Sequence, residues 1–266
     1  MFLRLRHILP IIPLCLATAA VSGAEPVDCT VMLEGRSGDV LLREGTCDQR
    51  FAPFSTFKIP LAVIGYDAGI LVDEQTPRWE WRDGMTAPER DRKAVDPTIW
   101  EKDSVLWYSR EITRLLGNEA AARYMALLDY GNGDISGVQG KDNGLTHGWL
   151  GASLAISPDE QVQWLRRMLA AQLPVETNAQ AWAAAILPDF QAGEWTVSGK
   201  TGSGWITDSQ GLYYRDRPIG WFVGWAQRDD DVIVFAKLRV DGQRSPENLG
   251  PVVREQFLAE LPALLP

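Results

Sequence analysis

The sequence predicts an α/β fold in which an antiparallel β-sheet is flanked by helices and a mostly helical region, about residues 55–192, is inserted between N-terminal and C-terminal strands. Strand-type runs cluster towards both ends of the chain, whereas apolar residues in the middle recur every three to four positions. With 266 residues, of which 45% are hydrophobic and 23% charged, the chain is long enough to bury a sizeable core. No internal repeat and no Pro/Gly-rich linker divides it.

The N-terminal strands are predicted as a hairpin, because residues 28–34 and 39–43 flank the turn-like stretch 35–38. Helical periodicity is clearest in three later segments: 104–116, 119–128 and 159–173. The third segment follows Ser157 and Pro158, which are typical of an N-cap and a first-turn proline.

Strands are predicted again after Gly193, and a final helix is predicted over 250–261. The predicted C-terminal strands are 195–199, 219–227 and 231–240. The stretch 208–218 between the first two of these strands is interpreted as an insertion near the rim of a binding site.

Composition excludes several classes of function. The formal net charge is -9 and no basic run is present, so nucleic acid is not an expected partner. The chain contains two histidines and three cysteines: His7, His147, Cys15, Cys29 and Cys47. A multi-histidine or cysteine-rich metal site cannot be assembled from that set, and no metal is expected.

Residues 1–24 have the features of a secretory signal peptide: two early arginines, an apolar run over 8–21, and small residues up to Ala24. Cleavage near Ala24 would leave a catalytic domain over 25–266 in the periplasm or outside the cell. A signal anchor is the alternative, but the apolar run is shorter than the roughly 20 residues of a membrane span and contains two prolines. No stable membrane anchor is therefore expected.

Cys29 and Cys47 remain as an even pair in an oxidising compartment, which makes them a candidate disulfide. Two buried free thiols are the alternative. His147 would be the single remaining histidine, which disfavours a Ser-His-Asp hydrolase, although His147 as a lone base stays open.

A serine can instead be activated by an amine, and Ser55 alone among the twelve serines has a lysine three residues later, Lys58. If a helix begins here, the two side chains share one face, and the helix N-terminus directs N–H groups towards a developing oxyanion. The spacing alone is a weak signal, because a solvated surface lysine is the usual outcome.

A second motif, Lys200-Thr201-Gly202, lies at a predicted strand. Its glycine permits a substrate backbone to approach the strand edge, and Lys200 supplies a cation for a carboxylate. A polar hairpin is the alternative. Together, Ser-x-x-Lys and Lys-Thr-Gly are the motif pair of serine β-lactamases and penicillin-binding proteins.

The chain resembles one such family, the class D β-lactamases or oxacillinases, from Cys29 to the terminal helix. Further matching stretches are Ser104-Val105-Leu106, Tyr130-Gly131-Asn132 and Trp149-Leu150-Gly151-Ala152-Ser153-Leu154. Leu106 departs from the family, which usually has valine there.

The resemblance implies that Ser55 attacks a β-lactam carbonyl to form an acyl-enzyme, with the N–H groups of Ser55 and Ser203 as the oxyanion hole. It implies that Lys58 carries an N-carboxylate (N6-carboxylysine) and acts as general base in both steps. Ser104 would relay a proton to the leaving nitrogen.

The Trp149 indole would hold the carbamate oxygens, within an apolar neighbourhood that includes Leu106 and Leu150. Plain core packing is the alternative for these three side chains. Tyr130 is either structural or catalytic, and both readings stay open.

Substrate binding is assigned by the resemblance to Lys200, Thr201, Gly202 and Arg254, with Arg244 as the rival of Arg254. The implied function is hydrolysis of penicillin-type antibiotics, giving resistance, with no dissociable cofactor and with carbon dioxide or bicarbonate as the source of the carbamate. Expected partners are β-lactams, and the chain is expected to be a monomer or homodimer. A β-lactam sensor domain and a cell-wall D,D-peptidase remain alternatives.

Overall fold

The computed structural model describes residues 25–265 and contains one six-stranded antiparallel sheet with strand order β2-β1-β6-β5-β4-β3. The strands are β1 (Val27–Glu34), β2 (Val40–Gly45), β3 (Asp189–Ala192), β4 (Trp195–Thr207), β5 (Tyr213–Arg228) and β6 (Asp231–Val240). Strand β1 therefore pairs with the last strand, β6, and β2 lies outside β1. The helical middle of the chain is inserted in the sequence between β2 and β3. This arrangement confirms the predicted fold class.

Seven helices surround the sheet within residues 25–265. They are α1 (Lys58–Asp67), α2 (Pro97–Asp103), α3 (Leu106–Leu128), α4 (Gly144–His147), α5 (Pro158–Leu169), α6 (Thr177–Ala185) and α7 (Leu249–Leu264), with the 3-10 turn Phe54–Phe57 immediately before α1. Helix α1 is buried on all sides from Lys58 to Tyr66. A helix that is apolar all round belongs in a core, so α1 is enclosed by the rest of the helical region.

Helix α5 begins with the cap that its sequence indicates. The Ser157 hydroxyl accepts from the backbone N–H of Glu160 (3.2 Å), and the Glu160 carboxylate accepts from the backbone N–H of Ser157 (2.9 Å). These two bonds form a capping box that satisfies donors at the helix start. Helix α3 covers most of the predicted segment 104–116 and all of 119–128, and the non-helical Gly117 (φ 75°, ψ 164°) separates the two.

The C-terminal half of the sheet differs from prediction at two places. Residues 189–192 were expected to end the helical region, but they form β3, because a two-residue turn at Gly193 (φ 62°) folds them back onto β4. The stretch 208–218 is only partly an insertion, since β5 begins at Tyr213 and Pro218 pairs with Trp205 of β4.

The predicted signal peptide, residues 1–24, lies outside the described residues. Between residues 25 and 265, no helix combines the length and the apolar character needed to cross a bilayer.

Cys29 in β1 and Cys47 after β2 are buried, with their sulfur atoms at bonding distance (2.02 Å) and their Cα atoms 5.2 Å apart. A bond here joins the N-terminal hairpin across a separation of 18 residues.

Loss of this bond should lower the free energy of unfolding by about 3 kcal/mol, because a loop of this size gains conformational freedom in the unfolded chain. Urea denaturation of oxidised and reduced protein measures the difference. The Cys29→Ser/Cys47→Ser variant is the control, since a reductant cannot change it. Identical curves for the oxidised and reduced chains, with an intact mass showing two free thiols, would contradict the bond.

Candidate active site

Ser55 lies in the 3-10 turn Phe54–Phe57, and Lys58 is the first residue of α1. The Lys58 Nζ donates to Ser55 Oγ across 3.4 Å. Tight i→i+3 winding brings the two side chains onto one face, as the spacing predicts. A hydroxyl and an amine therefore meet where the backbone N–H groups of a helix start are available.

The Lys58 amine is buried, with 1% of the residue exposed. Burial, together with the positive charge of Lys200, lowers its pKa to about 7, whereas the carboxylates of Glu101 and Asp91 oppose the shift. Desolvation disfavours an ammonium ion, so a substantial fraction of Lys58 is the neutral amine near neutral pH. A neutral amine is a nucleophile and a base, unlike an ordinary surface lysine.

Strand β4 borders the serine turn with an open edge. Strand β3 pairs with β4 only as far as Ser198, and the N–H of Gly199 then bonds Pro188 O (3.2 Å). From Lys200 onwards, no other described strand pairs with that edge. The free edge is where an extended substrate backbone can be held.

Two glycines let β4 approach the serine turn. A Cβ at Gly202 would lie 2.7 Å from Pro53 O, and a Cβ at Gly204 would overlap the ring of Phe54. Any larger residue would push the strand away from Ser55.

Ser203 directs its backbone N–H to the same open edge. N–H groups alternate between the two sides of a strand, and the N–H of Gly199 already points outwards, so those of Thr201 and Ser203 do as well. The Ser203 hydroxyl accepts from the N–H of Gly250 at the start of α7 (2.9 Å), which holds this part of β4 in place.

Lys200 and Ser104 form the third part of the site. The buried Lys200 Nζ donates to Ser104 Oγ (3.0 Å) and to Thr201 O (3.3 Å). Burial lowers the pKa of Lys200 to about 8; the carboxylate of Glu101 opposes this shift and the charge of Arg254 adds to it.

Ser104 has a left-handed backbone (φ 58°, ψ 40°) at the end of α2. A non-glycine residue in this conformation is strained, and such strain is found often at functional sites.

Trp149 lies beneath the serine turn. Its ring is buried and stacks on Phe57 with centroids 5.2 Å apart, and its carbonyl accepts from the N–H of Phe54 (2.9 Å). Leu106 and Leu150 are half-buried against the same core. All three side chains therefore belong to the same hydrophobic core as Phe57, the residue that precedes Lys58.

Tyr130-Gly131-Asn132 supports the site from behind. The buried Tyr130 hydroxyl donates to Gln161 Oε1 (3.3 Å), and Gln161 donates to Thr56 Oγ1 (3.0 Å) in the serine turn. Asn132 donates to Ser153 O (2.8 Å) and accepts from Ala155 N–H (3.0 Å).

Gly131 has φ 59°, and a Cβ there would overlap Ala155 O, so this position needs glycine. These contacts favour the structural reading of Tyr130.

Three residues proposed from the sequence make other contacts. The Arg254 guanidinium stacks on Phe190 (4.6 Å) and pairs with Glu255 (2.5 Å), although its charge acts on Lys200. Arg244 is exposed in the segment between β6 and α7. His147 contacts Thr146 Oγ1 through Nδ1 (2.8 Å) and lines a different cavity, so the geometry gives it no role as base for Ser55.

Glu101 is a site residue that sequence reasoning missed. It lies on α2, three residues before Ser104, and is completely buried. Burial raises its pKa to about 7, and the charges of Lys200 and Lys58 oppose the shift. A glutamate on a helix normally indicates a solvated face, so no pattern marks it in advance.

Within the described residues, no group of three or more His, Cys, Asp or Glu side chains is arranged to hold a metal ion. The chemistry available at this site comes from two serine hydroxyls, two buried amines and one buried carboxyl.

Comparison with known proteins gives the same family. Residues 27–262 match the family described as Penicillin binding protein transpeptidase domain. Beta-lactamase OXA-9 from Klebsiella pneumoniae is 42% identical over 266 residues, which span 98% of this chain and 97% of that protein.

Two solved structures are informative. The OXA-427 class D beta-lactamase is 38% identical with a TM-score of 0.83, covering 90% of this chain and 98% of the other. The C-terminal domain of the Bacillus licheniformis BlaR penicillin-receptor has a TM-score of 0.74, covering 91% of this chain and 92% of the other. At 21% identity, the second likeness shows the fold alone.

Gly204→Ala should lower the free energy of unfolding by about 1–3 kcal/mol, because the added methyl overpacks against the ring of Phe54. Urea denaturation of the single variants and the double variant measures the coupling. In the Phe54→Ala background the same change should cost much less. An equal cost in both backgrounds would show that this contact is not the constraint.

Proposed function

The chain belongs to the class D β-lactamases, serine hydrolases that open the β-lactam ring and confer antibiotic resistance, and from this premise we propose a mechanism for its residues. Ser55 is the nucleophile that is acylated by penicillin-type antibiotics, and Lys58, as its N-carboxylate, is the general base. The buried Lys58 amine beside Ser55 Oγ is the observation that carries this proposal.

Carbon dioxide adds to a neutral amine, one proton leaves the nitrogen, and the product is a carbamate carrying one negative charge. Burial lowers the pKa of Lys58 to about 7, so the reactive form is available at neutral pH. The modification gives Lys58 a carboxylate. A carboxylate remains a base at neutral pH, whereas an amine of this pKa is no longer a base once it is protonated. The Trp149 indole, stacked on Phe57, is the donor proposed for the carbamate oxygens.

The proposed acylation uses this base. The carbamate takes the proton from Ser55 Oγ, which bonds to the lactam carbonyl carbon, and the ring C–N bond breaks. The backbone N–H groups of Ser55 and Ser203 stabilise the oxyanion. Ser104, which accepts from Lys200 (3.0 Å), relays the proton from the carbamate to the leaving nitrogen, so the carbamate is a base again.

Deacylation uses the same base. The carbamate takes a proton from water, the resulting hydroxide attacks the ester carbonyl, and Ser55 Oγ leaves with a proton returned by the carbamate. Leu106 and Leu150 are proposed to keep the carbamate in an apolar setting, which strengthens its interactions.

The substrate carboxylate is proposed to bind at the open edge of β4. Lys200 and Thr201 lie there, and Gly202 lets the substrate backbone approach. Arg254 contributes through its charge, since in this structure its guanidinium pairs with Glu255. The proposal also includes export by residues 1–24, a periplasmic or secreted domain over 25–266, a Cys29–Cys47 bond, and a monomeric or homodimeric state.

The wild-type chain should hydrolyse the chromogenic cephalosporin nitrocefin over many turnovers, whereas Lys58→Ala should acylate slowly and stall. Loss of a general base costs about 10²- to 10⁴-fold in rate. Stopped-flow absorbance measures both phases, and intact mass detects the acyl-enzyme.

Lys102→Ala, on the exposed face of α2, is the matched control and should behave as wild type. A single stoichiometric burst from the wild-type chain would indicate a sensor instead of a hydrolase. Normal rates in Lys58→Ala would contradict the role of Lys58.

Activity should also depend on dissolved carbon dioxide and on pH. As the pH falls below about 7, Lys58 is protonated, the carbamate is lost, and turnover declines. Added bicarbonate should restore turnover at a given pH by mass action. Steady-state rates in degassed and bicarbonate-supplemented buffers measure the effect; rates independent of bicarbonate throughout that range would refute the carbamate.

A further inference from the structure

Glu101 is a buried carboxyl that the mechanism above does not use. Neither of its oxygen atoms has a hydrogen-bond partner within residues 25–265, and no part of the residue is exposed. Leaving a buried carboxyl without hydrogen bonds is costly, so native proteins rarely retain one without a function. It lies on α2, three residues before Ser104, whose hydroxyl accepts from Lys200 (3.0 Å).

Charged and titratable groups surround Glu101 from several elements. Lys58 of α1 and Lys200 of β4 act on its pKa, and Glu101 in turn raises the pKa of the Tyr66 phenol on α1. Asp91, in the 3-10 turn Glu89–Asp91, and Arg110, on α3, also act on the pKa of Lys58. The two amines are the cationic groups that act on the pKa of Glu101, and each is itself almost fully buried.

We propose that Glu101 takes up a proton that Lys58 gives up when carbon dioxide adds to it. This inference rests on the proposed carbamate, which it extends by naming the proton acceptor. Starting from the ammonium form, Lys58 gives up one proton to become the neutral amine, whose nitrogen bonds to the carbon of carbon dioxide and gives up a second proton. One proton passes to the Glu101 carboxylate and the other leaves to solvent, so mass and charge balance.

The reason is the cost of charge in a buried site. Before the reaction, the Glu101 carboxylate is stabilised by the Lys58 ammonium; afterwards, the carbamate would repel it. Protonation of Glu101 removes that repulsion, and the buried region then holds one anion, the carbamate, near the Lys200 cation. Without an ionisable group at 101, both protons must go to solvent.

The proposal predicts a specific pH profile for carbamate formation. At low pH, Glu101 is already protonated and cannot act, so its replacement by glutamine should have no effect. Above its pKa of about 7, the wild-type chain releases one proton fewer per carbamate than Glu101→Gln does. Glu101→Gln should therefore reach half-occupancy of the carbamate at a lower concentration of dissolved carbon dioxide than the wild type. The difference should grow about tenfold for each pH unit above the pKa of Glu101.

The experiment follows the carbamate by ¹³C NMR in full-length mature protein equilibrated with ¹³C-labelled bicarbonate, between about pH 5.5 and 8.5. The concentration of dissolved carbon dioxide at half-occupancy is compared for the wild type, Glu101→Gln and Glu101→Met. Asp103→Asn is the control, because it removes a charge from the same helix at its partly exposed end. It should follow the wild type.

We expect the half-occupancy concentrations of the wild type and of both Glu101 variants to coincide at the acidic end and to separate above neutral pH. There, both variants should reach half-occupancy at a lower concentration of carbon dioxide. Parallel curves for wild type and variants, with a carbamate signal in each, would overturn the role of Glu101 alone. No carbamate signal in an active wild-type enzyme would overturn the carbamate itself. If both variants fail to fold, the wild-type slope decides: deprotonation of Lys58 above its pKa removes one of the two protons released, and uptake by Glu101 must remove the second.

Discussion

The contact between the open edge of β4 and the 3-10 turn that carries Ser55 is the constraint on which the rest of the site depends. The strand can lie there only because Gly202 and Gly204 have no side chains, and because β3 stops pairing at Ser198. This close packing of β4 against the serine turn places the N–H groups of the open edge on the side of the nucleophile. Lys58 and Lys200 are both buried there.

Burial then gives the two lysines their chemistry. A buried amine is poorly hydrated as an ammonium ion, so its pKa falls into the range in which the neutral form is available near neutral pH. The packing that buries Lys58 also stabilises the fold, and it follows that stability and reactivity come from one set of contacts. A more open pocket would return Lys58 to an ordinary cation.

Much of this could be predicted from sequence, because the informative residues are local. The Ser55–Lys58 spacing, the glycine after Lys200-Thr201 and the cap at Ser157 each report short-range geometry that the structure reproduces. The strand β3 could not be predicted in the same way, since four residues carry too little periodicity and its pairing depends on the turn at Gly193.

Glu101 shows a different limit of sequence analysis. Its burial arises from the packing of α2 against distant elements, and the two lysines that act on its pKa, Lys58 and Lys200, lie on other elements far away in the sequence. A helix of seven residues gives no amphipathic pattern that distinguishes an inward glutamate from a solvated one. Arg254 is similar, because its pairing with Glu255 and its stacking on Phe190 follow from the seating of α7.

The central claim is that Lys58 acts as a carbamate. A crystal structure of the wild-type enzyme, grown at about pH 8 with bicarbonate, tests it most directly, since Lys58 is then mainly neutral. The expected result is planar density for three additional atoms on Nζ, within hydrogen-bond reach of Ser55 Oγ and the Trp149 indole. Well-ordered density that ends at Nζ under those conditions would contradict it.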